Sequence, residues 1–341
     1  MAVAVRAYAV EQARGPVRVR EYEPAPPSPH EVDVAVTHCG VCHTDVGMID
    51  DLHGISRFPV VAGHEAVGVV AALGSAVDRT RLSIGQRVGV GATAGACFAC
   101  EWCLSGRQHL CPDKDDLVLR GDGGAFATQV RAGDWRYVQP LPDALASEQA
   151  APLMCAGSTV FSALVRHGVR PTDRVAVVGV GGLGHLALQF LAKWGCHVTA
   201  LSSTATKADD ARRFGAHEFV VAGAAGEGLA GLSGAFDFVL STVSGDLPWD
   251  AYLATLRPQG SLSVVGVPES AFTVHPLSLL LGEKTLAGGL VGTPVETGQM
   301  LDFAARHGIR AETETYPVSR IEEALDRVRG GRARYRAVLE F

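Results

Sequence analysis

Val175-Ala176-Val177-Val178-Gly179-Val180-Gly181-Gly182-Leu183-Gly184 decides the fold: a β-branched apolar run ends in glycines spaced G-x-G-x-x-G, and an apolar helical pattern follows from Leu183 to Trp194. Each glycine has a physical reason. Gly179 permits a tight turn, Gly181 lets the backbone approach a pyrophosphate, and Gly184 lets helix and sheet pack closely, with the helix N-terminus facing the anion. Alone in a glycine-rich chain the motif could be a mere turn, but between strand and helix it marks a dinucleotide site. The strand, helix, strand rhythm begins near residue 156 and continues at His197–Ser202, Phe236–Leu240 and Leu262–Val265. This predicts an α/β unit with a doubly wound parallel sheet over 156–294.

A carboxylate that grips a ribose 2′-hydroxyl belongs about 20 residues beyond the glycines, at the end of the second strand. The chain reads Leu201-Ser202-Ser203-Thr204 there. Small hydroxyls with Lys207 close behind suit a 2′-phosphate, so the expected cofactor is NADP(H) over NAD(H). Arg212 and Arg213 lie further along and read as a solvated helix face.

Upstream the rhythm differs. Short β-rich runs such as Val32–Val36, Ala66–Val70 and Arg87–Val90, broken by Gly, Pro and Asp clusters, predict an antiparallel, barrel-like lobe over 1–155. Within it, at about 95–112, Cys97, Cys100, Cys103 and Cys111 form the pattern C-x2-C-x2-C-x7-C. A segment so rich in thiols and so poor in apolar residues cannot fold on its own packing, and four thiolates make a tetrahedral structural zinc site. Disulfides suit a small secreted scaffold better than this chain of 341 residues, which opens Met-Ala-Val-Ala-Val-Arg with no long apolar run. An iron–sulfur centre is the stronger rival, because a ferredoxin run also ends in Cys-Pro, as Cys111-Pro112 does here.

Composition narrows the classes further. Hydrophobic residues make up 47% and charged ones 19%, with 40 glycines and a net charge of −6, so no electrostatic footprint points to nucleic acid. No apolar run approaches the roughly 18 residues of a spanning helix. The expected address is the cytoplasm.

Cys42, His64 and Cys155 are single residues in unrelated stretches. Each alone reads as a buried small hydrophobe or a satisfied loop residue. Together, two thiolates and an imidazole are what a catalytic zinc with one open position requires.

Here the chain resembles the zinc-dependent alcohol dehydrogenases of the medium-chain dehydrogenase/reductase superfamily. These carry, in order, a G-x-C motif, a G-H-E motif, a four-cysteine lobe and a central Rossmann domain. The likeness runs end to end, and Cys39-Gly40-Val41-Cys42-His43-Thr44-Asp45, Ala150–Gly157 and Ser202-Ser203 resemble the cinnamyl alcohol dehydrogenase branch, which typically uses NADP(H) on aldehydes. The resemblance implies a GroES-like first domain over 1–155, the Rossmann domain over 156–294, and a return to the first over 295–341.

It also implies Cys42, His64 and Cys155 as catalytic zinc ligands, Glu65 as a fourth ligand that yields to substrate, Asp45 as an orienting partner and Thr44 as the hydroxyl that meets the substrate oxygen. On the cofactor side it implies His43, Thr159 and Gly266, the turn Gly179, Gly181, Gly182, Leu183 and Gly184, then Ser202, Ser203 and Lys207, and Arg336 as a pyrophosphate contact. Two zinc ions per chain follow, and a homodimer paired through an edge strand within Ser278–Leu290, with a tetramer as the alternative. The implied reaction is hydride transfer between NADPH and a carbonyl that zinc polarises, with a small alcohol or aldehyde as substrate. Reduction of a conjugated enone or iminium, or a non-catalytic NADPH-binding role, are the alternatives.

One position departs from the branch, which commonly has a histidine three residues after the threonine to pass the proton to solvent. Gly47 stands there, with Asp50 and His53 nearby in sequence.

Overall fold

Arg174–Val178 forms a strand because both its faces can be buried: Val175, Ala176 and Val177 are wholly excluded from water, the state in which a parallel strand reads as a continuous apolar run. The computed structural model describes residues 4–268 and 270–341. One compact unit takes the chain up to Ser158 and again from Val291, and the other runs Thr159–Leu290.

In the Thr159–Leu290 unit six strands pair in the order Glu218–Val221, His197–Ser202, Arg174–Val178, Phe236–Ser241, Leu256–Val264, Thr285–Gly288, all parallel. In chain order this is third, second, first, fourth, fifth, sixth, the doubly wound arrangement expected from the sequence. Its order reverses beside Arg174–Val178, so the loop leaving that strand opens at the switch point. Gly179 makes that loop with a φ of +91°, a conformation that side chains resist, and its N–H bonds to Leu201 O at 2.8 Å. Helix Gly184–Trp194 then buries Leu186, Leu188, Phe190 and Leu191 and stops at Gly195, whose left-handed φ of +105° closes the last turn.

The other unit is organised on one long strand, Val32–Val41. It pairs antiparallel with Ala66–Leu73 on one side, and on the other with Gln129–Ala132 along its first half and Arg336–Glu340 along its second. Arg87–Val90 and Val138–Pro140 extend the sheet beyond Ala66–Leu73, and Thr313–Pro317 pairs parallel with Arg336–Glu340 at the far edge. Register shifts between Asp33 and Val34 and between Val36 and His38 bend the central strand. This antiparallel sheet encloses Val34, Leu82, Val88 and Phe126, the core beneath the site described next. No helix among the described residues is long and apolar enough to cross a membrane.

The two inner glycines of the turn differ in what they tolerate. A methyl on Gly184 would overlap Gly179 O and stand 2.9 Å from the Gly179 carbonyl carbon, whereas one on Gly181 would meet nothing within 4 Å. Gly184→Ala should therefore destabilise the protein by about 1–3 kcal/mol, and Gly181→Ala by less than about 0.5 kcal/mol, in urea unfolding followed by circular dichroism.

Candidate active site

Strand Val32–Val41 ends at Cys42, which caps the helix His43–Ile49. Asp45, in the first turn of that helix, reaches back: Oδ2 accepts the Cys42 N–H at 2.8 Å. Its Oδ1 accepts the Gly63 N–H at 2.8 Å and lies 2.8 Å from His64 Nδ1. One buried carboxylate thus joins both ligand-bearing segments, and by engaging Nδ1 it leaves Nε2 of His64 for a metal. Cys155 follows the turn Ala151–Met154. Gly89 and Gly91 let that turn approach: a methyl on Gly91 would stand 2.6 Å from Met154 O, and one on Gly89 2.5 Å from Met154 Sδ.

The donor atoms of Cys42, His64, Glu65 and Cys155 lie within 4.8 Å of one another. Two sulfurs, an imidazole and a carboxylate at this spacing fit a tetrahedral zinc ion. Electrostatics agrees with the fit. The Cys155 thiol beside it, with the His64 imidazole, holds the Cys42 thiol well below its usual range against the opposing effect of burial. Burial alone would lower His64, but the charge and hydrogen bond of Asp45, with Cys42, raise it well above the ordinary imidazole. Burial pushes the Glu65 carboxyl up to about 7 against the opposing pull of Arg336.

Arg336, linked by resemblance to a pyrophosphate, is buried and gives its guanidinium to Glu65 Oε1. The other carboxylate oxygen, Oε2, is buried with no hydrogen-bond partner among the described residues. Thr44 is exposed, and its Oγ1 accepts from the Cys42 thiol at 3.6 Å. His43 is likewise exposed. Asp50 has both oxygens taken by Arg329 at 2.9 Å, so it is committed to holding the helix Ile321–Arg329, while His53 lies exposed.

The sulfurs of Cys97, Cys100, Cys103 and Cys111 form a second group within 4.8 Å. Cys97 Sγ accepts the N–H groups of Cys100 at 3.3 Å and Ala99 at 3.5 Å, and these bring its thiol down to about 6. Burial pushes Cys103 up to about 12, and a cation held by the four sulfurs is what would favour its thiolate.

In the Thr159–Leu290 unit Gly182 and Leu183 lead into helix Gly184–Trp194, and the space beside Gly181 is open. No described residue requires Gly181 to lack a side chain; a ligand pressed against it would. Lys207 donates to Val180 O at 2.7 Å, which sets its amine against the same turn. Ser202 ends its strand nearly buried and Ser203 is exposed. Arg212 and Arg213 pair with Asp209 and Asp210 on their own helix, away from any such role. Thr159 is buried, its carbonyl accepting the Ser162 hydroxyl at 3.2 Å. Gly266 lies where a methyl would stand 2.6 Å from the Val243 carbonyl carbon. The Glu65–Arg336 and Asp50–Arg329 pairs escaped the sequence reading, since each joins residues more than 270 positions apart.

A parallel sheet with a glycine turn at its switch point, in a chain that also gathers a thiolate, imidazole and carboxylate set, defines a metal-dependent dehydrogenase class. Comparisons carry this further. Two family models match, the alcohol dehydrogenase GroES-like domain over residues 28–143 and the zinc-binding dehydrogenase over residues 182–306. The aldehyde reductase AdhA of Synechocystis sp. is 41% identical over 335 residues, 98% of either chain. Among solved structures, a cinnamyl alcohol dehydrogenase of Sorghum bicolor superposes with a TM-score of 0.93 at 32% identity, covering 99% of this chain and 98% of that one. The Helicobacter pylori cinnamyl alcohol dehydrogenase complexed with NADP(H) does so with a TM-score of 0.88 at 26% identity, covering 100% and 99%. The chain belongs to the zinc-dependent alcohol dehydrogenases of the medium-chain dehydrogenase/reductase superfamily, in the cinnamyl alcohol dehydrogenase branch.

Replacing Asp45 by Asn keeps the shape but leaves one oxygen to accept, so the amide NH2 faces at least one of the Cys42, Gly63 and His64 donors without accepting from it. Zinc held at Cys42, His64 and Cys155 should then bind about 10–100-fold more weakly in chelator competition, with zinc held by the four-cysteine lobe unaffected.

Proposed function

We propose that this chain is an NADPH-dependent aldehyde reductase that interconverts an aldehyde and its alcohol, with one catalytic and one structural zinc. The observation that carries the reading is the convergence of Cys42, His64, Glu65 and Cys155, oriented by Asp45. Zinc held there would supply a Lewis acid that polarises a carbonyl and favours its acceptance of hydride from NADPH. The remaining work falls to the chain. Asp45 keeps His64 in one tautomer, and Arg336 holds Glu65 by one oxygen. Thr44 offers its hydroxyl beside Cys42 as the group that gives or takes the alcohol proton.

Gly47 offers no side chain for onward relay and Asp50 is occupied by Arg329. Thr44 is an exposed residue, which supports proton exchange through its hydroxyl without a relay histidine. The choice of NADPH is supported by Ser202 and Ser203 in place of a carboxylate, by Lys207 against the turn, and by the bound NADP(H) of the Helicobacter pylori relative. We read the four-cysteine lobe as the structural zinc site. The outer strand Thr285–Gly288, with Leu280 and Leu281 about 70% exposed before it, supports pairing of two copies, and the cytoplasm is the proposed setting.

NADPH oxidation across aliphatic, allylic and aromatic aldehydes, with enones and iminium ions as controls, tests the reading. Aldehydes should turn over best, and Cys42→Ser should lose more than about 100-fold in kcat/KM while NADPH Kd, measured by nicotinamide fluorescence, stays unchanged; unchanged turnover would rule the metal-centred reaction out. Lys207→Ala should weaken NADPH by about 10–100-fold and NADH far less, the loss expected for a charge-assisted contact to a phosphate.

A further inference from the structure

The four-cysteine lobe meets the antiparallel sheet around a cavity of about 410 Å3, formed entirely by the unit that takes the chain up to Ser158 and again from Val291. Its wall carries two guanidinium groups, Arg81 and Arg136, and no Asp or Glu among the described residues. In a chain of net charge −6 this is a local excess of positive charge. No residue of the metal set or the glycine turn lines it.

Arg136 is poised for an anion. Its guanidinium lies over the Phe98 ring at 3.9 Å, with the Trp135 ring at 5.6 Å, and a cation held by an aromatic face keeps its in-plane N–H donors for other partners. Asp134 Oδ1 stands 2.9 Å from Nε, but Nη1 and Nη2 have no hydrogen-bond partner among the described residues. Phe98 keeps its place at a φ of +53°, in the left-handed region that a bulky side chain resists. Arg81 is exposed, and its guanidinium likewise makes no hydrogen bond among the described residues. Most of the remaining wall is apolar, with Leu82, Trp135 and Val295 in it.

We propose that this cavity binds an aromatic carboxylate: Arg136 grips the carboxylate through Nη1 and Nη2, Arg81 adds a second positive charge, and the ring covers the apolar wall. The fork of a guanidinium matches the two oxygens of a carboxylate, and the volume falls in the range of small-molecule pockets. Inorganic phosphate would meet the arginines but leave the apolar wall wet, and a neutral ring would leave both cations unpaired. No bond is made or broken there.

The experiment titrates full-length protein with benzoate by isothermal calorimetry. Wild type should give saturable binding, with benzamide and inorganic phosphate each at least about tenfold weaker. Arg136→Gln should lose at least about tenfold in benzoate affinity and Arg81→Gln about threefold. Benzoate held at the metal set would survive Arg136→Gln, so binding that survives in full overturns the proposal. So does a wild type with no saturable heat, or benzamide or phosphate that binds as tightly as benzoate. Where Arg136→Gln fails to fold, Arg81→Gln decides: the threefold loss supports the site, and unchanged affinity overturns it.

Discussion

The buried carboxylate of Asp45 is the constraint on which the metal set depends. Three donors at 2.8 Å converge on its two oxygens, from Cys42, Gly63 and His64. Two come from the loop before strand Ala66–Leu73 and one from the end of strand Val32–Val41, so a single side chain fixes the spacing of segments that the β-ladder alone would leave free at their tips. Burial strengthens each of these bonds, because little water competes for the carboxylate. The same burial would make Asp45 costly without all three donors. Site and support are therefore one unit, and losing any donor loosens the ligand geometry before it disturbs the sheet.

A second buried charge cluster lies beside it. Glu65 and Arg336 are both nearly inaccessible, and their pair spans three strands of the antiparallel sheet. Such a pair adds little net stability, since removing two charges from water offsets most of their attraction. Its value is positional: Arg336 satisfies one oxygen of Glu65, while the other rests on Gly40 with no hydrogen-bond partner among the described residues. A buried carboxylate with one unsatisfied oxygen, in a residue that offers an oxygen within 4.8 Å of two sulfurs and an imidazole, is difficult to explain by packing and natural beside a cation site.

What was legible in the sequence was local. The glycine turn declared itself through its spacing between an apolar run and a helical pattern; the run Val175–Val178 lies within strand Arg174–Val178, and His197–Ser202 appears with the bounds its pattern implied. The four cysteines lie within fifteen residues, so their convergence needed no tertiary argument. Arg212 and Arg213 also read correctly as a solvated face, because their partners sit one turn away. Cys42, His64 and Cys155 were different. No spacing rule joins them, and they emerged only through family likeness. Asp50 and Arg336 eluded local reading altogether: the first is claimed by Arg329 and the second by Glu65, pairings set by strand and helix placement across almost the whole chain.

The interruption of the first unit by residues 159–290 has a consequence for how the molecule is made. On the ribosome the middle unit is synthesised complete, all six parallel strands included, while the antiparallel sheet still lacks Arg336–Glu340 and the arginine that faces Glu65. Domains tend to fold as units as they emerge. The middle unit can thus mature during translation, whereas the unit that gathers Cys42, His64, Glu65 and Cys155 stays unfinished until Arg336–Glu340 has been made.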